Sequence, residues 1–390
     1  MKQNRIEFFD TTLRDGEQTI GVNFSIEHKV EIAKSLEAWG VDVIEAGFPA
    51  ASPEDFKAVQ AVAESVDHVC VTGLARAKKN DIDACYEATK NAKNKQIHVF
   101  IATSPIHREF KLHMNKAQNL AAIKEYVSYA KQFFDKVEFS PEDATRTEPD
   151  YLVQAINTAI NAGATVINIA DTVGYTNPVE FGKLFDYLQA NVPKFNETTF
   201  SVHCHNDLGM ANANALAGIE HGATRIEGTI NGIGERAGNS SLEEVAVAMS
   251  VRKDFYQVSN NVDLKQTKHI CDMVSQYTNM PIPNNKAVVG SNAFSHESGI
   301  HQDGMLKNAS TYEILTPESV GMGATVLPLG KLSGSHAVMD RIQSMGYEIS
   351  PDEMKFIFPI FKNKADQKAI INNDDIKQIM KEYNEVPVHE

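Results

Sequence analysis

The sequence predicts an α/β fold: a (β/α)8 TIM barrel followed by a mainly helical appendage. Short apolar or β-branched runs alternate with amphipathic helical stretches, which is the pattern of parallel β-α-β units. Eight such units fit into roughly 245 residues, close to the length a closed eight-stranded barrel needs. After about residue 250 the alternation stops and helix-like segments take over. A doubly wound open sheet is the competing fold, and it is disfavoured because no G-x-G-x-x-G follows the first strand.

The strand candidates are Ile6–Asp10, Asp42–Ala46, His68–Thr72, Ile97–Ala102, Lys136–Ser140, Val166–Ala170, Phe200–His205 and Arg225–Thr229. Helical stretches such as Ile26–Trp39 and Lys116–Phe134 lie between them, with Ala, Leu, Ile and Val on one stripe and Lys, Glu and Gln on the other. The catalytic barrel is expected over residues 1–256 and a linker with helical subdomains over 257–390. An extended joint is expected near Met280–Gly290, between Pro281, Pro283 and an Asn-rich run. Helices are expected at Pro351–Ile370, kinked or broken at Pro359, and at Asp374–Tyr383.

Composition narrows the function classes. Thirty-seven Lys and Arg against 51 Asp and Glu give a net charge of −14, which argues against a nucleic-acid partner or an anionic membrane surface. No apolar run of about 18 residues is present, and the charged N-terminus lacks the apolar core of a signal peptide. Cys70, Cys85, Cys204 and Cys271 are widely spaced with no C-x-x-C pair, so they are expected as reduced thiols in a cytoplasmic protein.

In such barrels the active site sits at the C-terminal ends of the strands, so polar residues there are the candidates. His203 and His205 are two apart on one strand and share a face. Two adjacent imidazoles favour a divalent metal; a hydrogen-bonded histidine pair is the plain alternative. Asp15 and Asn239, on the loops after strands one and eight, would add oxygen ligands; either is otherwise a turn or loop residue. The mixed set suits Mn²⁺, Mg²⁺ or Zn²⁺ alike. Arg14 is a candidate for polarising a carbonyl or enolate oxygen and Glu45 for holding it, against an ordinary ion pair. Thr172 offers a hydroxyl and an N–H suited to a carboxylate, or simply a turn bond. Glu142 is a candidate for substrate binding or proton movement, or a solvated loop charge. Further on, His296, Glu297, His301 and Asp303 form a possible second metal cluster or a solvated helix-loop.

The segments DTTLRDGEQ, VIEAGFP, HCHNDLGMA and NGIGERAGN, in that order, resemble the metal-dependent aldolase-like barrels that condense acyl-CoA with 2-oxo acids. With SNAFSHESGIHQDG (Ser291–Gly304), the chain resembles the bacterial 2-isopropylmalate synthase family from about Arg5 to the low 380s. The resemblance implies condensation of acetyl-CoA with 3-methyl-2-oxobutanoate and water to give 2-isopropylmalate and CoA, the first committed step of leucine biosynthesis. It implies Asp15, His203, His205 and Asn239 as metal ligands, Arg14 at the 2-oxo carbonyl, Thr172 at the substrate carboxylate and Glu142 near the acetyl group. It further implies His301 in proton transfer, assisted by Tyr312, both reaching into the barrel of a partner subunit of a homodimer. Homocitrate and citramalate synthases share these motifs, and a carbon–carbon lyase on the same barrel is a further alternative, disfavoured by the appendage. A non-catalytic binding protein would not need the intact ligand set. Family members usually continue into a leucine-binding regulatory domain, whereas this sequence ends at Glu390. Truncation and a form without feedback are both open at this point.

Overall fold

The computed structural model describes residues 4–385. It divides into two compact units, Met1–Ile282 and Pro283–Glu390. In the first, nine parallel strands form one sheet: β1 Glu7–Asp10, β2 Val43–Glu45, β3 Cys70–Thr72, β4 Leu74–Arg76, β5 Ile97–Ala102, β6 Val137–Glu142, β7 Val166–Asp171, β8 Thr199–Cys204 and β9 Arg225–Gly228. Their order is β3-β2-β1-β9-β8-β7-β6-β5-β4. The two ends of that order are consecutive in the chain, with only Gly73 between them, so the sheet closes on itself. Backbone bonds from Gln96 N to Val71 O (3.1 Å) and from His98 N to Gly73 O (3.3 Å) complete the seam. The third stave of the (β/α)8 barrel is therefore β3 plus β4, longer than the sequence run His68–Thr72 suggested.

Eight helices wrap the sheet: α1 Ile26–Trp39, α2 Pro53–Ser65, α3 Lys79–Thr89, α4 Lys116–Ala130, α5 Pro149–Ala162, α6 Pro178–Asn191, α7 Ala211–Glu220 and α8 Leu242–Val251. Their starts are written in the sequence. Ser52 and Asn177 cap α2 and α6 ahead of Pro53 and Pro178, whose missing N–H costs nothing in a first turn. Asn115 and Gln118 form a reciprocal capping box on α4. The inner stripe of each helix packs on the outside of the sheet. Trp39 on α1 is fully buried, lies edge-on to Phe8 with centroids 6.3 Å apart, and donates from Nε1 to Thr267 Oγ1 at 3.0 Å. Each such aromatic stabilises the barrel by roughly 2–3 kcal/mol through burial. Thr267 opens a further helix, α9 Thr267–Thr278, which thereby joins the first unit. None of the four cysteines is in a disulfide. No helix among the described residues is long and apolar enough to cross a membrane.

The second unit is helical: α10 Gly299–Lys307, α11 Ser335–Ser344, α12 Pro351–Ala365 and α13 Asn373–Glu385. Its core is built from Val338, Ile342, Met354, Ile357, Phe361, Ile376 and Ile379. Of the two outcomes expected at Pro359, a break is excluded: α12 runs through it. The chain reverses after Ala365, and Ile371 pairs with Leu329, so the helix does not reach Ile370.

Candidate active site

The C-terminal rim of the barrel opens into a cavity of about 230 Å³. Its wall includes Arg14, Asp15, Glu142, Thr172, His203 and His205, from the ends of β1, β6, β7 and β8. Adjacent staves bring together residues far apart in sequence. His203 and His205 point their Nε2 atoms at each other, 3.3 Å apart. Asp15 Oδ2 lies 3.5 Å from the first and 3.8 Å from the second. Asn239 Nδ2 donates to Asp15 Oδ1 at 3.1 Å and to Ile233 O at 3.1 Å. All four side chains are buried.

The loop carrying Asn239 depends on glycine. At Gly234 (φ +155°) an added Cβ would stand 2.1 Å from Asn239 Nδ2. Beside these side chains, Arg14 donates from Nε to Glu45 Oε2 (2.6 Å) and from Nη1 to Asp15 Oδ2 (2.7 Å). Thr172 Oγ1 accepts from Asp143 N at 2.9 Å, which leaves its own hydrogen to donate into the cavity. Glu142 is held by Lys111 Nζ at 2.7 and 3.0 Å.

The electrostatics draw positive charge to one point. Burial would raise the Asp15 carboxyl, but Arg14 and the two imidazoles hold it well below the usual carboxylate range. Burial likewise opposes ionisation of Glu45, and Arg14 and His98 overcome it. His203 is pushed up to about 9 because Asp15 and Glu227 outweigh its burial. His205 goes the other way, to about 4, through burial and the nearby cations. The residues present fit a divalent cation. Two Nε2 atoms and a carboxylate oxygen converge, and Asn239 Oδ1 is buried with no hydrogen-bond partner. Imidazole, carboxylate and amide oxygen form a borderline donor set.

A second group of potential ligands, His98, Glu138 and Glu227, lies inside the barrel. Both ring nitrogens of its histidine are engaged, Nδ1 with Glu45 Oε1 (2.7 Å) and Nε2 with Ser140 Oγ (2.5 Å), so His98 is a hydrogen-bonding hub. Burial and the charge of Glu227 push Glu138 up toward the neutral acid. In the second unit, His296, Glu297, His301 and Asp303 do not gather into a three-ligand group. Asp303 instead pairs with His336 and Lys307, and His296 lies 3.6 Å from Glu313. His301 and Tyr312 face each other with ring centroids 4.3 Å apart.

The sequence reading passed over His98, Ser140, Asn168, Lys111 and Arg236 in the cavity wall. Arg236 pairs with Asp207 through two bonds and donates to Thr172 O at 2.8 Å. In the sequence it stands within NGIGERAGN, where nothing local marks it as a wall residue.

Residues 5–274 match the HMGL-like family model, and 288–369 match the homocitrate synthase post-HMGL domain-like model. A 2-isopropylmalate synthase of Listeria monocytogenes is 58% identical over 376 residues, covering 96% of this chain and 73% of the relative. The chain belongs to the 2-isopropylmalate synthase family. A Staphylococcus epidermidis member of the family is 58% identical over 97% of this chain and 74% of its own length. Among solved structures, an HMG-CoA lyase from Acinetobacter baumannii, in complex with coenzyme A and 3-methylmalate, superposes with a TM-score of 0.61. At 20% identity, over 73% of this chain and 94% of that one, it shares the barrel fold with the family.

Proposed function

We infer that the chain is a 2-isopropylmalate synthase: it joins the methyl carbon of acetyl-CoA to the carbonyl carbon of 3-methyl-2-oxobutanoate, and water then releases CoA and 2-isopropylmalate. The observation that carries this reading is the arrangement of Arg14 against Asp15, His203 and His205 on the rim of a small cavity, in a chain 58% identical to named synthases.

Asp15, His203, His205 and Asn239 would hold the divalent metal, for which Mn²⁺ is the first choice. When bound, the ion would supply Lewis acidity toward the 2-oxo acid. Arg14 is kept permanently charged by Glu45 and Asp15, and it stabilises negative charge developing on the carbonyl oxygen. Thr172 donates to the substrate carboxylate from the opposite wall. Glu142 would contact the acetyl group, a role that its fixed orientation against Lys111 supports. His301, with Tyr312 against it, removes the methyl proton, so that the carbanion attacks the 2-oxo carbon. Both residues belong to the second unit, and the reading has them serve the barrel of a second copy in a cytoplasmic homodimer. The barrel itself would be residues 1–256 and the region after it 257–390, of which the stretch to Ile282 packs with the first unit and the arm proper begins at Pro283.

Free-thiol release measured with a panel of 2-oxo acids tests the function. The fastest turnover is expected with 3-methyl-2-oxobutanoate. Faster release with 2-oxoglutarate or pyruvate would replace this reading with homocitrate or citramalate synthesis. Cleavage of hydroxymethylglutaryl-CoA with no condensation would replace it with a lyase.

A further inference from the structure

A closed circuit of polar contacts runs around the inside of the barrel below the cavity. From Arg14 it passes through Glu45 to His98 and on to Ser140. Asn168 Nδ2 donates both to Ser140 Oγ (2.8 Å) and to Glu227 Oε2 (3.0 Å). Glu227 Oε2 lies 3.3 Å from His203 Nδ1, and His203 leads through Asp15 back to Arg14. Four members have no place in the chemistry above, namely His98, Ser140, Asn168 and Glu227, and of these Glu227 alone lies against a candidate metal ligand. It is fully buried and pinned at both oxygens, because Ser201 Oγ donates to Oε1 at 2.7 Å.

The backbone accounts for its position. Glu227 on β9 is in register with His203 on β8, and Ser201 lies two residues before His203 on the same face. A buried carboxylate is thereby held against the one imidazole nitrogen that faces away from Asp15 and His205. No other group bonds that nitrogen among the described residues, and a small turn of the ring would align it with Glu227. His205 has no such neighbour: its Nδ1 is buried and unpartnered.

We propose that Glu227 is a positioning residue for the metal: it fixes the proton of His203 on Nδ1 and sets the ring angle, so that Nε2 is presented as a ligand. Ser201 and Asn168 hold Glu227 for that task. The inference rests on the metal reading given above. An imidazole whose second nitrogen is tied to a carboxylate is oriented before binding and is a stronger donor, and loss of such a partner typically weakens metal affinity 10–100-fold.

The test is metal affinity of the full chain, stripped with a chelator and titrated calorimetrically with Mn²⁺ and Zn²⁺. Glu227→Gln is expected to weaken binding 10–100-fold. Ser201→Ala, which frees one oxygen of Glu227, is expected to weaken it by a smaller factor in the same direction and serves if the first variant does not fold. In the zinc-loaded protein, ¹⁵N spectra are expected to show the His203 proton on Nδ1. Affinities of the folded variants within twofold of the parent overturn the proposal, even if the metal-free proteins melt earlier, because that result describes a merely structural residue. A His203 proton on Nε2 overturns it as well. A parent protein that binds neither metal overturns the metal reading itself, and this inference with it.

Discussion

The barrel and the second unit each bring two histidines close together, and they do so by opposite means. His203 and His205 are buried, their Nε2 atoms 3.3 Å apart, with Asp15 and Glu227 flanking His203 on either side. His296 and His301 have ring centroids 6.3 Å apart, and His301 is exposed beside a Tyr312 that is itself 43% exposed. The first pair is preorganised by a sheet, whose register leaves little freedom to either ring. The second pair lies on and beside a nine-residue helix with one buried residue, Gln302. A candidate ion site can be assembled from neighbouring staves and the loops that follow them. A base that must meet a substrate has to remain accessible.

Four substitutions would break or sharpen that contrast. The largest effect is expected from His203→Ala. Metal content by elemental analysis should fall to background, and thiol release should fall by about 10³-fold or more, since a ligand and the charge it organises go together. His301→Ala should lower thiol release by about 10²–10⁴-fold, the usual worth of a general base. Its metal content and melting temperature should match the parent, because the ring is exposed and outside the ligand set. Equal loss of metal in both variants would erase the distinction between the two histidine pairs.

Gly234→Ala tests the loop rather than the ligands. A methyl 2.1 Å from Asn239 Nδ2 should displace the amide, cost about 1–3 kcal/mol in urea unfolding and weaken metal binding. The smallest effect is expected from Asp10→Asn at the root of the first loop. Burial pushes the Asp10 carboxyl up to about 7, although Thr12 donates to both of its oxygens. A raised carboxyl gives stability that is complete below the ordinary value near 3.8 and is lost as the pH rises to about 7. The variant lacks that loss. Its melting temperature should therefore gain a few degrees on the parent between pH 4 and 8. A constant difference between the two melting curves would contradict the burial effect.

Much of this site is legible in the sequence because strands alternate. The period of two puts His203 and His205 on one face, and the eight-unit count puts their strand beside the loop of Asn239 and near that of Asp15. The same rule, carried down each strand, would have found the interior residues that were passed over. Ser201 is two residues before His203, Glu138 and Ser140 are four and two before Glu142, and Asn168 is four before Thr172. Each shares the inward phase of a residue at the rim, and each looks out of place only when the run is read as uniformly apolar. Lys111 could not be found this way. It sits in the wide turn Arg108–Leu112 after β5, where neither strand nor helix periodicity applies. The continuity of α12 through Pro359 was also beyond the local signal, since Ile357 and Phe361 on either side are locked into the core of the second unit and hold the helix together.

The circuit from Arg14 around to His203 has no loose end, so a change at any one member is transmitted in both directions. Ser140 and Asn168 belong both to the cavity wall and to the circuit. A replacement at either one reaches the Arg14 guanidinium along one arc and the His203 imidazole along the other. A single replacement at Ser140 or Asn168 is therefore expected to be felt at Arg14 and at His203 together, and a second change elsewhere in the circuit would be needed to restore both.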